Sequence, residues 1–361
     1  MKKIELRHSR GIYDILVGEN LISDLGQRIK TLGESNDLKC CIVSDDNVFG
    51  IYGGKITASL EAAGFIVKNF VFDNGEEQKT LTTVKDIYIF LCENSFNRND
   101  LLIALGGGVV GDITGFAAAT YLRGIKFVQV ATTLLAQVDS SVGGKTGVDL
   151  PSGKNLVGAF YQPSLVICDT DTLNTLPEMI YADGMGEVIK HGCIEKSGDL
   201  FAALKNKNIS RVDMIYENIK IKAAIVSDDE LETKGDRIKL NFGHTVGHAI
   251  EKYYDFSGIT HGRAVAAGMI YAAKISHLLG LCDYGVIRDI KEILEIYKLP
   301  SSLDGNINNK TLAEYCAADK KSEGAGINFV LLTKIGGCTV QKIAVKDLHE
   351  ILCRCDKIDT V

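Results

Sequence analysis

Short apolar runs that alternate with amphipathic helical stretches restrict the fold of the first half of the chain more than any other feature. The runs are bounded by turn residues and read CCIVSDD, GFIVKNFVFDNG, DLLIALGGG, KFVQVATT and SLVICDT. Alternation of this kind predicts parallel βαβ units. Several runs are almost continuously apolar, as expected when helices cover both faces of the sheet.

The pattern changes at about Pro177, beyond which helical periodicity dominates. The helical stretches include EVIKHGCIEKSGDLFAALKN, RVDMIYENIKIKAAIVSDDELE, GHTVGHAIEKYY and GRAVAAGMIYAAKISHLLG. A strand pair, GINFVLLTKIGGCTVQKI, is expected near the C-terminus around Gly336 and Gly337. Because 361 residues exceed one small core, we expect an α/β domain over residues 1–177 and a mainly α-helical domain over residues 178–361.

Charge and composition exclude several classes of protein. A net charge of -6 and a pI near 5.7 argue against a surface that attracts nucleic acid or anionic membranes. The stretch MKKIELRHSRGIYDILVG carries a charge every few residues and lacks the apolar core of a signal peptide. No uncharged apolar stretch reaches the length that spans a bilayer. We therefore expect a cytoplasmic protein that binds neither nucleic acid nor a membrane.

A glycine-rich loop follows the third apolar run. The stretch LLIALGGGVVGDITGF places Gly106, Gly108 and Gly111 in G-x-G-x-x-G spacing between a strand and a helix, where bare backbone can approach a pyrophosphate. A nucleotide is the favoured ligand, and a tight turn without a ligand is the alternative. The usual ribose-binding acid about 20 residues downstream is missing. Asp45, at the end of an earlier strand, is a candidate for that role or a simple turn residue.

A long polar, glycine-rich segment lies between apolar runs and has the composition of a functional loop. It reads QVDSSVGGKTGVDLPSGKNLVGAF and contains Asp139, Lys145, Lys154 and Asn155. Two lysines and an amide among small residues suit an anionic ligand such as a phosphate or a carboxylate. Solvated surface lysines are the alternative.

Two histidines one helical turn apart raise the question of a metal site. His244 and His248 share a helix face in LNFGHTVGHAI, but Thr245 stands where the H-E-x-x-H zinc motif has glutamate. A catalytic zinc site takes three protein ligands and leaves a position open. His261 in THGRAVAAGM and Glu187 in GMGEVIKHG are further candidates. The residues alone leave open whether His244 and His248 share a metal.

A set of ordered motifs between about Asp45 and Gly336 resembles the 3-dehydroquinate synthases, a family of the shikimate pathway. The motifs are NGEEQKT, LGGGVVGD, RGIKFVQVATTLLAQVDSSVGGKTG, GKNLVGAFYQP, GEVIKHG, LNFGHTVGHAIE, HGRAVAAGM and DKKSEG. The resemblance implies an α/β N-terminal, Rossmann-like NAD-binding domain and a mainly α-helical C-terminal domain for metal and substrate. It also implies an active site in the cleft between them.

The resemblance assigns roles to individual residues. It implies that Zn2+ or Co2+ is bound by Glu187, His244 and His261, which leaves His248 for the substrate. Contacts with the substrate body and carboxylate are implied for Lys145, Lys190, Lys222, Arg237 and Asn241. Contacts with the phosphate are implied for Asn155, Arg123 and one of Lys320 or Lys321. Arg123 is expected to reach into the partner subunit of a homodimer, and Asp139 to orient a hydroxyl or lie beside the metal.

The same resemblance implies the contacts with NAD. They come from loops that follow the predicted strands and from the glycine-rich segment. The residues are Asp45, Asn47, Asn74, Gly75, Glu76, Glu77, Gln78, Lys79, Gly108, Val109, Val110, Gly111, Asp112, Thr132, Thr133, Lys145, Lys154, Thr172, Leu173, Asn174 and Thr175.

The implied activity is conversion of 3-deoxy-D-arabino-heptulosonate 7-phosphate to 3-dehydroquinate and phosphate, with NAD reduced and reoxidised in each turnover. The alternatives are a sister sugar phosphate cyclase that makes a deoxy-inosose or a valiolone, or a metal-dependent polyol dehydrogenase that releases NADH. Arg237 and Asn241 favour a carboxylated substrate. A catalytically inactive NAD-binding protein is a further alternative, against which the complete set of metal ligands, Lys145 and Lys190 argue.

Overall fold

The chain forms two compact units in the computed structural model, which describes residues 1–32, 38–256, 258–302, 307–319 and 326–358. Met1–Pro177 and Arg211–Leu231 make the first unit, and Glu178–Ser210 and Glu232–Val361 make the second. The sequence pattern placed the boundary at the same residue but assigned Arg211–Leu231 to the second domain.

Most strands lie in the first half of the chain, and most of the long helices lie in the second half. The strands are β1 (Lys2–His8), β2 (Gly11–Gly18), β3 (Lys39–Asp45), β4 (Ile66–Phe72), β5 (Leu101–Gly106), β6 (Lys126–Ala131), β7 (Lys145–Leu150), β8 (Gly153–Phe160), β9 (Leu165–Asp169), β10 (Gly326–Lys334) and β11 (Gly337–Ala344). The α-helices are α1 (Leu25–Lys30), α2 (Asp46–Val48), α3 (Gly54–Ala62), α4 (Leu81–Glu93), α5 (Gly108–Thr120), α6 (Glu178–Ile194), α7 (Asp199–Lys205), α8 (Arg211–Asp228), α9 (His244–Tyr253), α10 (His261–Leu278), α11 (Tyr284–Ile296), α12 (Asn309–Asp319) and α13 (Val345–Lys357). Short 3-10 or π turns cover Ile22–Asp24, Phe49–Gly53, Glu76–Gln78, Tyr121–Arg123, Ala136–Ser140, Thr170–Asn174 and Asp236–Asn241.

The described part of the first unit contains a sheet with the strand order β1-β2-β9-β6-β5-β3-β4. From β2 to β4 all neighbours are parallel, whereas β1 pairs with β2 as an antiparallel hairpin. The predicted strands correspond to β3, β4, β5, β6 and β9, and the Rossmann-like α/β prediction is confirmed. The β1–β2 hairpin was not predicted, because charged residues interrupt its apolar positions.

Apolar side chains of the interior strand β5 pack on both faces of this sheet. Leu101 and Ile103 join a buried cluster with residues of α1 and α3, whereas Leu102 joins a second cluster with residues of α4 and α5. Burial on both faces explains why the sequence of β5 is a continuous apolar run.

The helix α8 is held to the first unit at both ends. Near its start, the Arg211 guanidinium donates a hydrogen bond to Asn174 Oδ1 at 2.8 Å. Just beyond its end, Glu230 Oε2 accepts a hydrogen bond from the backbone N–H of Ser9 at 2.7 Å. Helical periodicity predicts α8 correctly, but it carries no information about which core the helix joins.

A second sheet of the first unit is the antiparallel hairpin of β7 and β8, packed on α5. The polar, glycine-rich composition of this segment predicts a loop, and this prediction is wrong. The segment is extended because Gly147 and Gly158 lie face to face, and a Cβ on Gly158 would fall 2.1 Å from the carbonyl oxygen of Thr146. Lys145 and Asn155 therefore lie on strands.

The second unit is mainly helical, as predicted. The helix α10 packs against α6, α9 and α11, and the predicted strand pair forms the antiparallel hairpin of β10 and β11. None of the described helices combines the length and the apolar character needed to span a membrane.

Candidate active site

Apart from Lys145 and Lys154, which lie on β7 and β8, the residues predicted to contact NAD lie at or after the carboxyl ends of β3, β4, β5, β6 and β9. These strands are parallel, so their carboxyl ends meet at one edge of the sheet. The chain order reverses between β3 and β5, because β3 leads to β4 on one side and β5 leads to β6 on the other. Open α/β sheets bind their ligands at such a switch point.

Side chains from separate loops contact one another at this edge. Asp45 Oδ1 accepts a hydrogen bond from the backbone N–H of Val48 at 2.8 Å, so this carboxylate caps α2. Asp46 Oδ1 accepts hydrogen bonds from the backbone and side-chain nitrogens of Asn74 at 3.0 and 2.9 Å. The hydroxyls of Tyr52 and Thr175 lie 2.5 Å apart. The loops predicted to surround NAD are thus linked directly.

The glycine-rich loop leads into α5, whose first residue is Gly108. The first turn of a helix carries backbone N–H groups without helical partners, which suits a phosphate. One turn further, Asp112 Oδ2 lies 2.7 Å from Lys79 Nζ. Burial raises the pKa of Asp112 to about 6, although the Lys79 ammonium opposes this shift. Lys79 also donates a hydrogen bond to Asn155 Oδ1 at 2.5 Å.

A cavity of about 540 Å³ in the first unit brings together its substrate-binding candidates other than Arg123. Its lining includes Asp112, Asp139, Lys145, Asn155 and Lys222. Lys222 Nζ lies 2.7 Å from Asp139 Oδ1 and donates a hydrogen bond to the Asp139 carbonyl at 2.7 Å. Two ammonium groups and an amide in one cavity suit an anionic ligand.

Arg123 lies in an exposed turn after α5. Both Leu122 and Arg123 adopt left-handed backbone conformations, with φ of 49° and 66°. The turn closes through a hydrogen bond from the Gly124 N–H to the Tyr121 carbonyl at 2.9 Å. Non-glycine residues rarely adopt this conformation, so the turn holds Arg123 at the surface at some cost in free energy.

The second unit brings Glu187, His244 and His261 together. Glu187 lies on α6, and the two histidines begin α9 and α10. The Nε2 atoms of both histidines lie 3.5 Å from Glu187 Oε1. Ligand atoms of the three residues all lie within 4.8 Å of one another. The ring of His248, one turn along α9, lies 5.3 Å from that of His244.

Glycines allow the three helices to approach closely enough to form this cluster. A Cβ on Gly262 would lie 1.8 Å from the carbonyl oxygen of Asp183, so α10 and α6 touch through backbone. A Cβ on Gly268 would lie 2.0 Å from the Gly243 carbonyl at the start of α9. Asp183 Oδ1 also accepts the Gly262 N–H at 2.7 Å, which fixes the first turn of α10 beside His261.

The buried charges of this cluster compensate one another. Burial favours the neutral acid of Glu187, but Lys190 and the two histidines outweigh burial and hold the pKa of Glu187 well below its usual value. Burial lowers the pKa of His244 well below its ordinary range. Burial also acts to lower the pKa of His261, but the carboxylates of Glu187 and Glu251 raise it to about 10.

The predicted carboxylate-binding residues lie next to the cluster in the chain. Arg237 and Asn241 belong to the 3-10 turn Asp236–Asn241, which packs against α6 and leads through Phe242 to α9. Arg237 is only 3% exposed, and its Nε lies 3.6 Å from Glu232 Oε1. Lys190 forms a buried ion pair with Glu187. Lys320 and Lys321 lie outside the described residues.

Sequence reasoning missed the groups behind the two histidines. Nδ1 of His244 lies 3.2 Å from the carbonyl oxygen of Phe242. Nδ1 of His261 lies 3.4 Å from Glu251 Oε2. The sequence did contain one sign of this carboxylate, because Glu251 ends the motif LNFGHTVGHAIE two helical turns after His244. Its partner His261 is on another helix, so spacing alone did not connect them.

Comparisons with known proteins agree along the chain. Residues 69–183 match the family model described as 3-dehydroquinate synthase N-terminal, and residues 184–322 match the model described as 3-dehydroquinate synthase C-terminal. The chain is 43% identical to a 3-dehydroquinate synthase of Clostridium acetobutylicum over 98% of this chain and 99% of that protein. It is 41% identical to the 3-dehydroquinate synthase of a Streptococcus pneumoniae strain over 95% of this chain and 97% of the other.

Solved structures share the fold. A 2-deoxy-scyllo-inosose synthase complexed with carbaglucose-6-phosphate, NAD+ and Co2+ has a TM-score of 0.84 and 27% identity, covering 98% of this chain and 99% of that one. A 2-epi-5-epi-valiolone synthase from Streptomyces hygroscopicus with NAD+ and Zn2+ bound has a TM-score of 0.85 and 23% identity, covering 96% and 97%. The family models and the near-full-length relatives show that the chain belongs to the 3-dehydroquinate synthase family.

Proposed function

We propose that the protein converts 3-deoxy-D-arabino-heptulosonate 7-phosphate to 3-dehydroquinate and phosphate, a carbon–oxygen lyase reaction of the shikimate pathway. The observation that carries the proposal is the cluster of Glu187, His244 and His261 beside Lys190, in a chain of this family. The product would serve chorismate and aromatic amino acid biosynthesis.

The residues present suit the cofactors that the reaction needs. A carboxylate and two imidazoles with open positions accept Zn2+ or Co2+, and the related 2-deoxy-scyllo-inosose synthase was solved with NAD+ and Co2+. When bound, the metal would polarise the C5 hydroxyl of the substrate. NAD would accept the hydride from carbon C5 and later return it.

The chain itself would bind and orient the substrate. Lys145, Lys222 and Asn155 line a cavity suited to an anion, and we assign Asn155 to the phosphate. The buried Arg237 and Asn241 would hold the carboxylate, and Lys190 and His248 the substrate beside the metal. Holding both anionic ends preserves orientation through oxidation, phosphate loss, reduction and ring closure.

The buried guanidinium of Arg237 favours this reaction over those of the sister cyclases. Arginine stays charged and presents a planar fork that matches a carboxylate. The sister cyclases act on sugar phosphates without a carboxylate, so their substrates offer no such group to an arginine. A polyol dehydrogenase would release NADH, whereas the proposed synthase regenerates NAD within each turnover.

One assay tests the proposal. Purified protein is mixed with the heptulosonate phosphate, Zn2+ and a trace of NAD, and phosphate, dehydroquinate and NADH absorbance are followed together. We expect phosphate and dehydroquinate in equal amounts, far beyond the NAD supplied, without accumulation of NADH. Accumulation of NADH on simple polyols, or phosphate release from a hexose phosphate alone, would contradict the proposal.

We also propose that the protein is a cytoplasmic homodimer in which Arg123 completes the partner's phosphate site. The exposed turn that carries Arg123 supports this role, because an exposed guanidinium is accessible to a second copy of the chain. Lys320 or Lys321 would complete the same phosphate site.

A further inference from the structure

The imidazole of His261 faces a carboxylate on each side of its ring. Its Nε2 lies 3.5 Å from Glu187 Oε1, and its Nδ1 lies 3.4 Å from Glu251 Oε2. Glu251 is carried by α9, and its side chain is only 7% exposed. A buried carboxylate is costly unless it is paired, and His261 Nδ1 is one such partner for Glu251.

Metal-binding histidines usually donate their second ring N–H to a carboxylate or a carbonyl oxygen. This contact fixes the tautomer and the ring orientation, and it makes the metal-facing nitrogen more basic. The 3.4 Å separation between His261 Nδ1 and Glu251 Oε2 is slightly longer than a normal hydrogen bond. A shift of a few tenths of an ångström would bring it into the usual range of about 2.7–3.2 Å.

The two histidines of the cluster differ in what lies behind them. The side chain of His244 is 13% exposed. Its Nδ1 faces the Phe242 carbonyl, so the backbone just before its own helix orients the ring. His261 is 32% exposed, and its Nδ1 faces a side chain from another helix. The partner of His261 is therefore a side chain, which a substitution can remove, whereas the partner of His244 is a backbone carbonyl.

We propose that Glu251 is a positioning residue that orients His261 so that Nε2 faces the metal, and that it thereby sets the metal affinity of the site. The inference rests on the proposed function, because it takes the metal from there. In this role Glu251 acts through His261 and not directly on the substrate.

The test measures metal binding separately from turnover. Metal-free wild-type protein, Glu251→Gln and Glu251→Ala are titrated with Zn2+ against a chromophoric chelator and with Co2+ by visible absorption. Loss of such a supporting residue typically weakens metal affinity about 10- to 100-fold. We expect Glu251→Ala near the upper end and Glu251→Gln, which keeps an acceptor oxygen but loses the charge, near the lower end. The Co2+ spectrum should change in both variants.

Asp100→Asn provides the matched control, because Asp100 is also buried, 2% exposed, and accepts backbone N–H groups of Lys39 and Asn97. It should lower thermal stability without changing metal affinity. Wild-type metal affinity and an unchanged Co2+ spectrum in Glu251→Gln would overturn the inference, even if Glu251→Ala failed to fold. Failure of the wild-type protein to bind Zn2+ would instead overturn the metal site of the proposed function and this inference with it.

Discussion

Glu187 is the residue on which the charges of the metal cluster depend. Its carboxylate faces Lys190, His244 and His261, and both Glu187 and Lys190 are buried. A buried ion pair adds little net stability, but removing one partner leaves the other charge without compensation. The cluster should therefore tolerate no neutral residue at this position.

We predict that Glu187→Gln abolishes metal retention and lowers the free energy of unfolding of the metal-free protein by about 3–5 kcal/mol. The loss arises because the Lys190 ammonium stays buried without its carboxylate. Urea unfolding and metal analysis of the purified proteins measure both effects. Glu217→Gln is the control, since Glu217 pairs with Lys220 at the surface and should change stability by less than about 1 kcal/mol. Equal losses in the two variants would refute the prediction.

Asp112 should make stability depend on pH in a defined window. Its pKa in the folded protein is about 6, against an ordinary 3.8, with burial as the main cause. The folded state therefore holds this proton more tightly than the unfolded chain does. The contribution of Asp112 to stability falls as the pH rises from about 4 to about 6 and stays low above that.

Relative to Asp112→Asn, the wild-type protein should lose up to about 3 kcal/mol of unfolding free energy between about pH 4 and pH 7. Urea unfolding of both proteins across this range gives the difference directly. Lys79→Met removes the opposing ammonium, so it should shift the window to higher pH. A difference that does not vary with pH would contradict the prediction.

The secondary structure elements differ in how well the sequence predicts them. The strands β3, β5, β6 and β9 are mostly apolar runs, and α10 lies in a stretch with a helical pattern, so local pattern was sufficient. The β7–β8 hairpin was mistaken for a loop, because its strands contain glycines and polar residues, although they pack on α5. Packing of this kind depends on residues distant in the chain and leaves no periodicity.

The close approach of α6 to α10 places Glu187 beside His261, and a substitution of Gly262 tests whether this approach is needed. Gly262→Ala would put a Cβ 1.8 Å from the carbonyl oxygen of Asp183, and neither backbone can move aside without separating the helices. We expect the free energy of unfolding to fall by about 1–3 kcal/mol, the usual cost of overpacking, and Zn2+ binding to weaken.

Gly285→Ala on α11 is the matched control, because a Cβ there meets no atom within 4 Å. Alanine favours the helix over glycine by about 1 kcal/mol, so this variant should be at least as stable as the wild-type protein. Thermal unfolding and Zn2+ titration of both variants decide the matter. If Gly262→Ala retained wild-type stability and metal affinity, close backbone contact would not be what aligns the site.

Across the entire chain, the candidate residues are divided between two units whose segments are not continuous. The chain passes from one unit to the other at 177/178, 210/211 and 231/232. Lys145 and Lys222 belong to the first unit, whereas Lys190 and Arg237 belong to the second. Motif resemblance named these residues one by one, but no sequence pattern showed that α8 returns to the first unit. That placement depends on contacts at both ends of α8 with distant parts of the chain.

Cooperation between two copies of the chain can be tested with variants that are each inactive alone. Arg123→Ala removes the residue proposed to act in the partner's site, and Lys145→Ala disables the site of its own subunit. Both variants should fold, because neither residue belongs to the described hydrophobic core clusters, and sedimentation of each is compared with that of the wild-type protein. Each homodimer should show almost no turnover.

Mixing the two variants should restore activity if Arg123 acts across the dimer. In a mixed dimer, the site of the Arg123→Ala subunit keeps its own Lys145 and receives the intact arginine from its partner, so one of the two sites is complete. Random exchange makes half of the dimers mixed, and turnover should recover to about one quarter of the wild-type value. If Arg123 served its own subunit, every site in the mixture would lack one residue. The mixture would then remain as inactive as its components.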